Sequence, residues 1–179
     1  MKLLAEITDE SLGLPRRERC PHRSIPRQAA RAVLADGEGR IAVMALDKFD
    51  FYMLPGGGIE DGEDARTACI REMKEETGCD CVITGELGLV RECKSIGKHK
   101  VEETAYFIAC VVGEVAAPAM EENEIAEGTR LEWHTPAEAL RLVTLPVLSE
   151  PRFQHVRFMH ARDAAALKEY MRKQEENIV

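Results

Sequence analysis

"LPGGGIEDGEDARTACIREMKEETGC", residues Leu54 to Cys79, runs from three consecutive glycines into a helical pattern that ends in Glu72, Glu75 and Glu76 just ahead of Gly78. The opening is too rich in glycine for a regular element. The stretch therefore reads as a loop feeding a helix from about Glu63 to Thr77, with Gly78 where a left-handed cap costs least. At about 100° per residue, Ala65, Cys69, Glu72 and Glu76 share one stripe with Glu75 at its edge, while Thr67, Arg71 and Lys74 form the polar face. The stripe begins apolar and core-facing and finishes in carboxylates.

That finish is locally unfavourable. Like charges four residues apart destabilise a helix by roughly 0.2–0.5 kcal/mol per pair, and anions in the last turn oppose the macrodipole by about 0.3–1 kcal/mol each. Either Glu75 pairs with Arg71 on a solvated surface, or a divalent cation sits among the carboxylates and reverses the sign of every term. The glycines favour the second reading. Gly56, Gly57 and Gly58 let backbone N–H and C=O groups approach a ligand with no side chain in the way, so Gly57 and Gly58 are expected to face substrate. Glycines followed by a carboxylate cluster describe a place where Mg²⁺ or Mn²⁺ bridges protein and diphosphate.

The same residues resemble the Nudix hydrolase signature, G-x5-E-x7-R-E-U-x-E-E-x-G-U with U bulky and apolar. The chain supplies Gly57, Glu63, Arg71, Glu72, Met73, Glu75, Glu76, Gly78 and Cys79 at every required spacing, with Cys79 the one soft departure. The resemblance covers roughly residues 27 to 145. It implies an α/β fold with a mixed β-sheet sandwiched between α-helices, and hydrolysis of a nucleoside diphosphate linked to another moiety. By position, Glu72 and Glu76 bind metal directly, Glu75 serves as a third or water-mediated ligand, and the Gly56 carbonyl adds an oxygen. Arg71 is implied to orient the glutamates, and Glu63 to tie loop to helix. The general base of the family is a box glutamate or one on a late loop; in "MEENEIAE" Glu122 and Glu124 are the favoured candidates, against a merely solvated acidic loop.

Outward from the box, "AARAVLADGEGRIAVMAL" reads as a hairpin, and "CDCVITGELGLVREC", "TAYFIACVV" and "RLEWH" as strands. Thr135, Pro136 and Glu138 form a helix start with a capping box. A last helix from about Arg152 to Lys173 puts Phe153, Val156, Ala164, Leu167 and Met171 on one face, so it is expected to dock on the core or on a second subunit of a homodimer. The organisation read from this is an N-terminal extension over residues 1–26, a Nudix domain over 27–145 and a C-terminal helical extension over 146–179.

Composition narrows the partners. A net charge of −8 and a pI near 5.2 argue against a nucleic-acid polymer, which needs a basic face, and leave room for a phosphate-bearing small molecule if a metal supplies the positive charge; the resemblance implies a small nucleoside diphosphate derivative. No run is apolar over the roughly 20 residues a bilayer span needs, and "MKLLAEITDE" turns acidic too soon for a secretory signal, so a soluble, cytoplasmic protein without membrane contact is expected. The six cysteines show no C-x-x-C pair and read as reduced packing residues.

Arg31 is a candidate phosphate contact, with solubility or surface pairing as an equal alternative, and Tyr52, just before the glycines, a candidate base-stacking residue, with strand packing as its alternative. The rival functional class is a nucleotide-binding regulatory module without turnover. A Nudix-related isomerase has no second motif here to support it.

Overall fold

The computed structural model describes residues 1–15, 25–48, 51–95, 101–113, 116–119, 128–145 and 154–176. Eight strands form one sheet: β1 (Leu3–Thr8), β2 (Arg27–Ala35), β3 (Ile41–Leu46), β4 (Phe51–Met53), β5 (Gly56–Gly58), β6 (Asp80–Cys93), β7 (Val101–Val112) and β8 (Thr129–His134). Among the described residues the helices are α1 (Ala65–Thr77), α2 (Pro136–Leu142) and α3 (Gln154–Glu176). The spine of the sheet runs β1-β6-β7-β2-β3-β4, with β5 beside β2 and β8 beside β3. Pairings β1·β6 and β2·β7 are parallel and the others antiparallel, which makes the sheet mixed.

Strand β2 shows how the sheet divides two cores. Its alternate residues Ala30, Ala32 and Leu34 pack with Ala68, Cys69 and Met73 of α1, whereas Val33 and Ala35 pack with Phe158 and Leu167 of α3. A strand covered on both faces reads as the nearly unbroken apolar run seen here. Helices therefore lie on both sides of the sheet, as expected. The apolar face of α3 is spent on this chain's own core, with Val156, Ala164 and Leu167 buried; Phe153 lies outside the described residues.

Three local readings change. The helix begins at Ala65 rather than Glu63, because the Asp64 side chain accepts the Thr67 N–H at 2.8 Å and caps it. Gly56–Gly58 is not an irregular loop but strand β5, paired with β2 through Ala29↔Gly58, Ala30↔Gly57 and Arg31↔Gly56. Glycine is tolerated in a strand where another group comes too close for a side chain: Gly56 sits at φ 132° and a Cβ there would run into the backbone of Ala30 and Arg31. The hairpin is real only at its tip, Ala35↔Ile41. Beyond it β2 turns to β5 and β7, and β3 to β4 and β8.

The stretch read as an N-terminal extension includes β1, which pairs with β6 and is the edge strand of the spine. Cys69, Cys79, Cys81 and Cys93 are buried free thiols, in keeping with the packing role expected of them. No helix among the described residues is long and apolar enough to cross a membrane.

Candidate functional site

Helix α1 stops where its carboxylates begin to matter. Gly78, at φ 71°, donates its N–H to the Lys74 carbonyl at 3.0 Å, and the segment 116–119 satisfies two more end groups: Ala116 N–H donates to the Gly78 carbonyl at 3.0 Å and Ala119 N–H to that of Glu75 at 2.8 Å. The end of the helix is thus tied down from outside. Its acidic side chains meet the glycine strand from this fixed base.

Glu76 is 4% exposed and its Oε2 accepts the Gly56 N–H at 2.7 Å. Glu72 lies directly on Gly57, where any Cβ would collide with its carboxylate. Burial pushes the Glu72 carboxyl up; the adjoining Arg71 guanidinium pulls it down and the Glu75 charge adds to the rise, leaving it above its ordinary value. The pair is largely desolvated and set against bare backbone.

Arg71 is the hub. Its Nε and Nη2 hold Glu63 at 3.1 and 3.0 Å, Nη2 reaches the Gly58 carbonyl at 2.9 Å, and Nη1 holds both Glu72 and Glu75 at 2.9 Å. A planar fork can serve five acceptors in this way; a lysine cannot. Glu63 in turn accepts the Glu60 N–H at 3.1 Å, and the Arg71 hydrogen bond holds its carboxyl below the usual range. One side chain thereby joins the turn before α1, the glycine strand and the acidic end of the helix.

The donors present are hard oxygens: the carboxylates of Glu72, Glu75 and Glu76 and the backbone carbonyls of β5. Their chemistry fits Mg²⁺ or Mn²⁺ rather than a softer ion. Among the described residues no three His, Cys, Asp or Glu side chains converge as a ready-made metal centre; Glu75 is turned toward Arg71 with 45% of its side chain exposed.

The structure does not gather all the expected residues here. Arg31 is 6% exposed and gives Nη1 to the Leu54 carbonyl at 2.6 Å, so it braces the backbone ahead of the glycines instead of offering an open cation to a phosphate. Tyr52 packs against the α3-side core cluster, the packing alternative named for it. Glu122 and Glu124 fall outside the described residues.

A second group of charges escaped the sequence reading. Glu92 and Glu102 face each other across β6 and β7, both buried, and are met by Lys94 and by the 3% exposed Arg162 of α3, while Arg27 binds Glu102 at 3.1 Å. Burial pushes Glu102 up, but Lys94, Arg162 and Arg27 outweigh it and hold the carboxyl low. Asp163, fully buried, accepts the Leu54 N–H at 2.9 Å and the Tyr106 hydroxyl. The available signal was charge at inward positions of strands, as with Arg31 in "AARAV" and Glu92 in "LVREC".

The family model for the NUDIX domain matches residues 25–155, and the chain belongs to that family. A 56-residue stretch is 50% identical to an RNA pyrophosphohydrolase of Dinoroseobacter shibae, covering 29% of this chain and 34% of that protein. The chain thus spans about a third of that relative's length. A longer match, 27% identical over 132 residues, covers 65% of this chain and 80% of an RNA pyrophosphohydrolase of Erythrobacter litoralis. Among solved structures, an Ap4A hydrolase of C. elegans shares the fold with a TM-score of 0.57 at 16% identity, over 84% of this chain and 99% of that one.

Proposed function

We propose that this chain is a Nudix pyrophosphohydrolase that uses Mg²⁺ or Mn²⁺ to cleave the phosphoanhydride bond of a nucleoside diphosphate linked to another moiety, such as a nucleoside triphosphate, oxidised or not, or an ADP-ribose-like compound. The observation that carries the reading is the seating of two desolvated carboxylates on glycine backbone, Glu72 on Gly57 and Glu76 on the Gly56 N–H. A regulatory module without turnover has no use for a cluster that is locally costly to keep.

Glu72 and Glu76, with the Gly56 carbonyl and with Glu75 directly or through water, would hold the cation. When bound, it neutralises diphosphate oxygens and lowers the pKa of water. Arg71 fixes the Glu72 carboxylate and keeps the Gly58 carbonyl and Glu63 in register with it, so the oxygens are oriented before substrate arrives. The bare backbone of Gly57 admits the Glu72 carboxylate, and Gly57 and Gly58 are proposed to meet substrate through their backbone groups. In the reaction a water oxygen bonds to phosphorus, the bridging P–O bond breaks and its electrons leave with the second phosphate, while the water proton passes to a carboxylate. Glu122, Glu124 or a box glutamate is proposed as that base, a role worth about 10²–10⁴-fold.

A second reading, in which the diphosphate belongs to the end of an RNA chain, is favoured by the names of the two bacterial relatives. The net charge of −8 weighs against a long polymer track but not against gripping a terminal phosphate group. One assay decides: nucleoside triphosphates, dinucleoside polyphosphates, ADP-ribose, nucleotide sugars, isoprenoid diphosphates and RNA with a 5′-triphosphate are each incubated with Mg²⁺ or Mn²⁺, and phosphate and pyrophosphate release is followed. Turnover that requires the metal is expected for a nucleotide. Tight nucleotide binding without turnover across the panel replaces the proposal with the regulatory module, and release from the RNA alone selects the second reading.

A further inference from the structure

The charges beneath α3 reach the backbone just ahead of the glycine strand at Leu54. Asp163 Oδ2 accepts the Leu54 N–H at 2.9 Å, and its Oδ1 receives the Tyr106 hydroxyl and, at 3.2 Å, Arg162 Nε. The Leu54 carbonyl accepts Arg31 Nη1 at 2.6 Å, and the Pro55 carbonyl accepts the Ala32 N–H at 3.2 Å. Next in the chain, Gly56 gives its N–H to Glu76. Gly56 is pressed against the backbone of Ala30 and Arg31 at φ 132°, so it has no slack with which to compensate for movement of Leu54.

A fully buried carboxylate is costly unless its oxygens are occupied. The apolar face of α3 already docks the helix through Phe158, Ala166 and Leu167, so Asp163 is not needed merely to attach it. Its donors come from three other places: the β4–β5 connection, β7 and its own neighbour Arg162. We propose that Asp163 is a positioning residue for the metal-binding end of α1: by fixing Leu54 it sets the direction in which Gly56 offers its N–H to Glu76 and its carbonyl to the cation. Helix α3 is then a working support of the site, acting from 109 positions away in sequence. The inference rests on the reading of Glu72, Glu76 and Gly56 as the metal-binding set.

The test is Mn²⁺ binding to the full chain, measured by electron paramagnetic resonance without nucleotide and well below the unfolding temperature. The parent should bind Mn²⁺ and Glu76→Gln should lose it. Asp163→Asn has nearly the same shape but must turn an NH₂ group toward either the Leu54 N–H or the Arg162 guanidinium. It should raise the Mn²⁺ dissociation constant at least fivefold, and hydrogen exchange at Leu54 and Gly56 should quicken together while the β6–β7 ladder stays protected. Tyr106→Phe removes one donor from Asp163 and keeps the ring; it should raise the constant about twofold, and it decides the matter if Asp163→Asn does not fold. Parent-like Mn²⁺ affinity in every folded variant, with Glu76→Gln still deficient, overturns the positioning role and leaves the metal reading intact, even if thermal stability falls. If Glu76→Gln binds Mn²⁺ like the parent, or the parent binds none, both fall.

Discussion

The protein holds two clusters of charge, one at the end of α1 and one beneath α3, and they are balanced differently. Around the end of α1 three carboxylates, those of Glu63, Glu72 and Glu75, share the guanidinium of Arg71, while Glu76 accepts the Gly56 N–H. Beneath α3, Glu92, Glu102 and Asp163 are matched by Arg27, Lys94 and Arg162. The balanced cluster is sealed, with Glu92 and Asp163 fully buried. The unbalanced one lies against glycine backbone and keeps part of Glu75 in solvent. An anionic surplus is tolerable where a cation can join it, whereas a sealed cluster must supply its own counter-charges. Under the proposed function the first is the place for chemistry, and the second holds shape.

The sharpest way to break this contrast is to unbalance the sealed cluster. Arg162→Met removes one of the two cations, the other being Lys94, that Glu92 and Glu102 share, and removing one partner from a buried ionic group costs about 3–5 kcal/mol. A denaturant titration should show that loss. Adding Glu92→Gln should recover part of it, because the orphaned charge goes with the cation. A double variant no better than the single one would mean that Arg162 acts by packing alone.

At the open cluster the reverse is expected: large loss of activity, little loss of stability. Glu76→Gln keeps an oxygen for the Gly56 N–H but removes the charge, and should lower turnover of the best substrate about 100-fold or more, roughly 2.7 kcal/mol of barrier. Parent-rate hydrolysis by the folded variant refutes the assignment. Gly57→Ala is milder. Its methyl group enters the space of the Glu72 carboxylate, which must swing away, and a loss of about tenfold, near 1.4 kcal/mol, is expected in kcat/KM with unfolding unchanged within about 0.5 kcal/mol.

How much of this was legible depends on whether position or partner carries the information. The box could be read because it is local. Helical spacing alone puts Glu72 and Glu76 on the buried stripe, and Gly78 marks its C-terminal end by cap chemistry, whereas the Asp64 cap that starts the helix at Ala65 was missed. The sandwich was legible as what the resemblance to the Nudix family implies, with the periods marking the individual strands and helices. Strand β5 was not, because glycine carries no pattern and the strand exists only through its pairing with β2. Arg31 and Asp163 were misread or missed since a charged residue looks solvated until the group opposite it is known, and the partners here lie 23 and 109 positions away. Tyr52 could be read both ways; its neighbours, not its identity, put it in the α3-side core.

The smallest expected effect lies at the rim, where Lys2 beside the edge strand meets Glu169 of α3 at 2.8 Å and Arg172 meets the same carboxylate at 2.8 Å. Hydrogen bonds from Arg172 and Lys2 hold the Glu169 carboxyl down at about 2, against an ordinary 4.5. A depressed carboxyl contributes stability that is complete above the unfolded value and is lost as pH falls through the folded one, because the unfolded chain binds the proton first. Lys2 is 61% exposed and Arg172 47%, so solvent screens the pair and Glu169→Gln should cost no more than about 1 kcal/mol at neutral pH. Chemical denaturation followed from pH 7 downward should show parent and variant converging between about 4.5 and 2, with the gap shrinking as salt is added. A gap that stays constant over that window would mean that Glu169 holds β1 to α3 by its methylenes and not by its charge, and the rim would then join neither of the two clusters in kind.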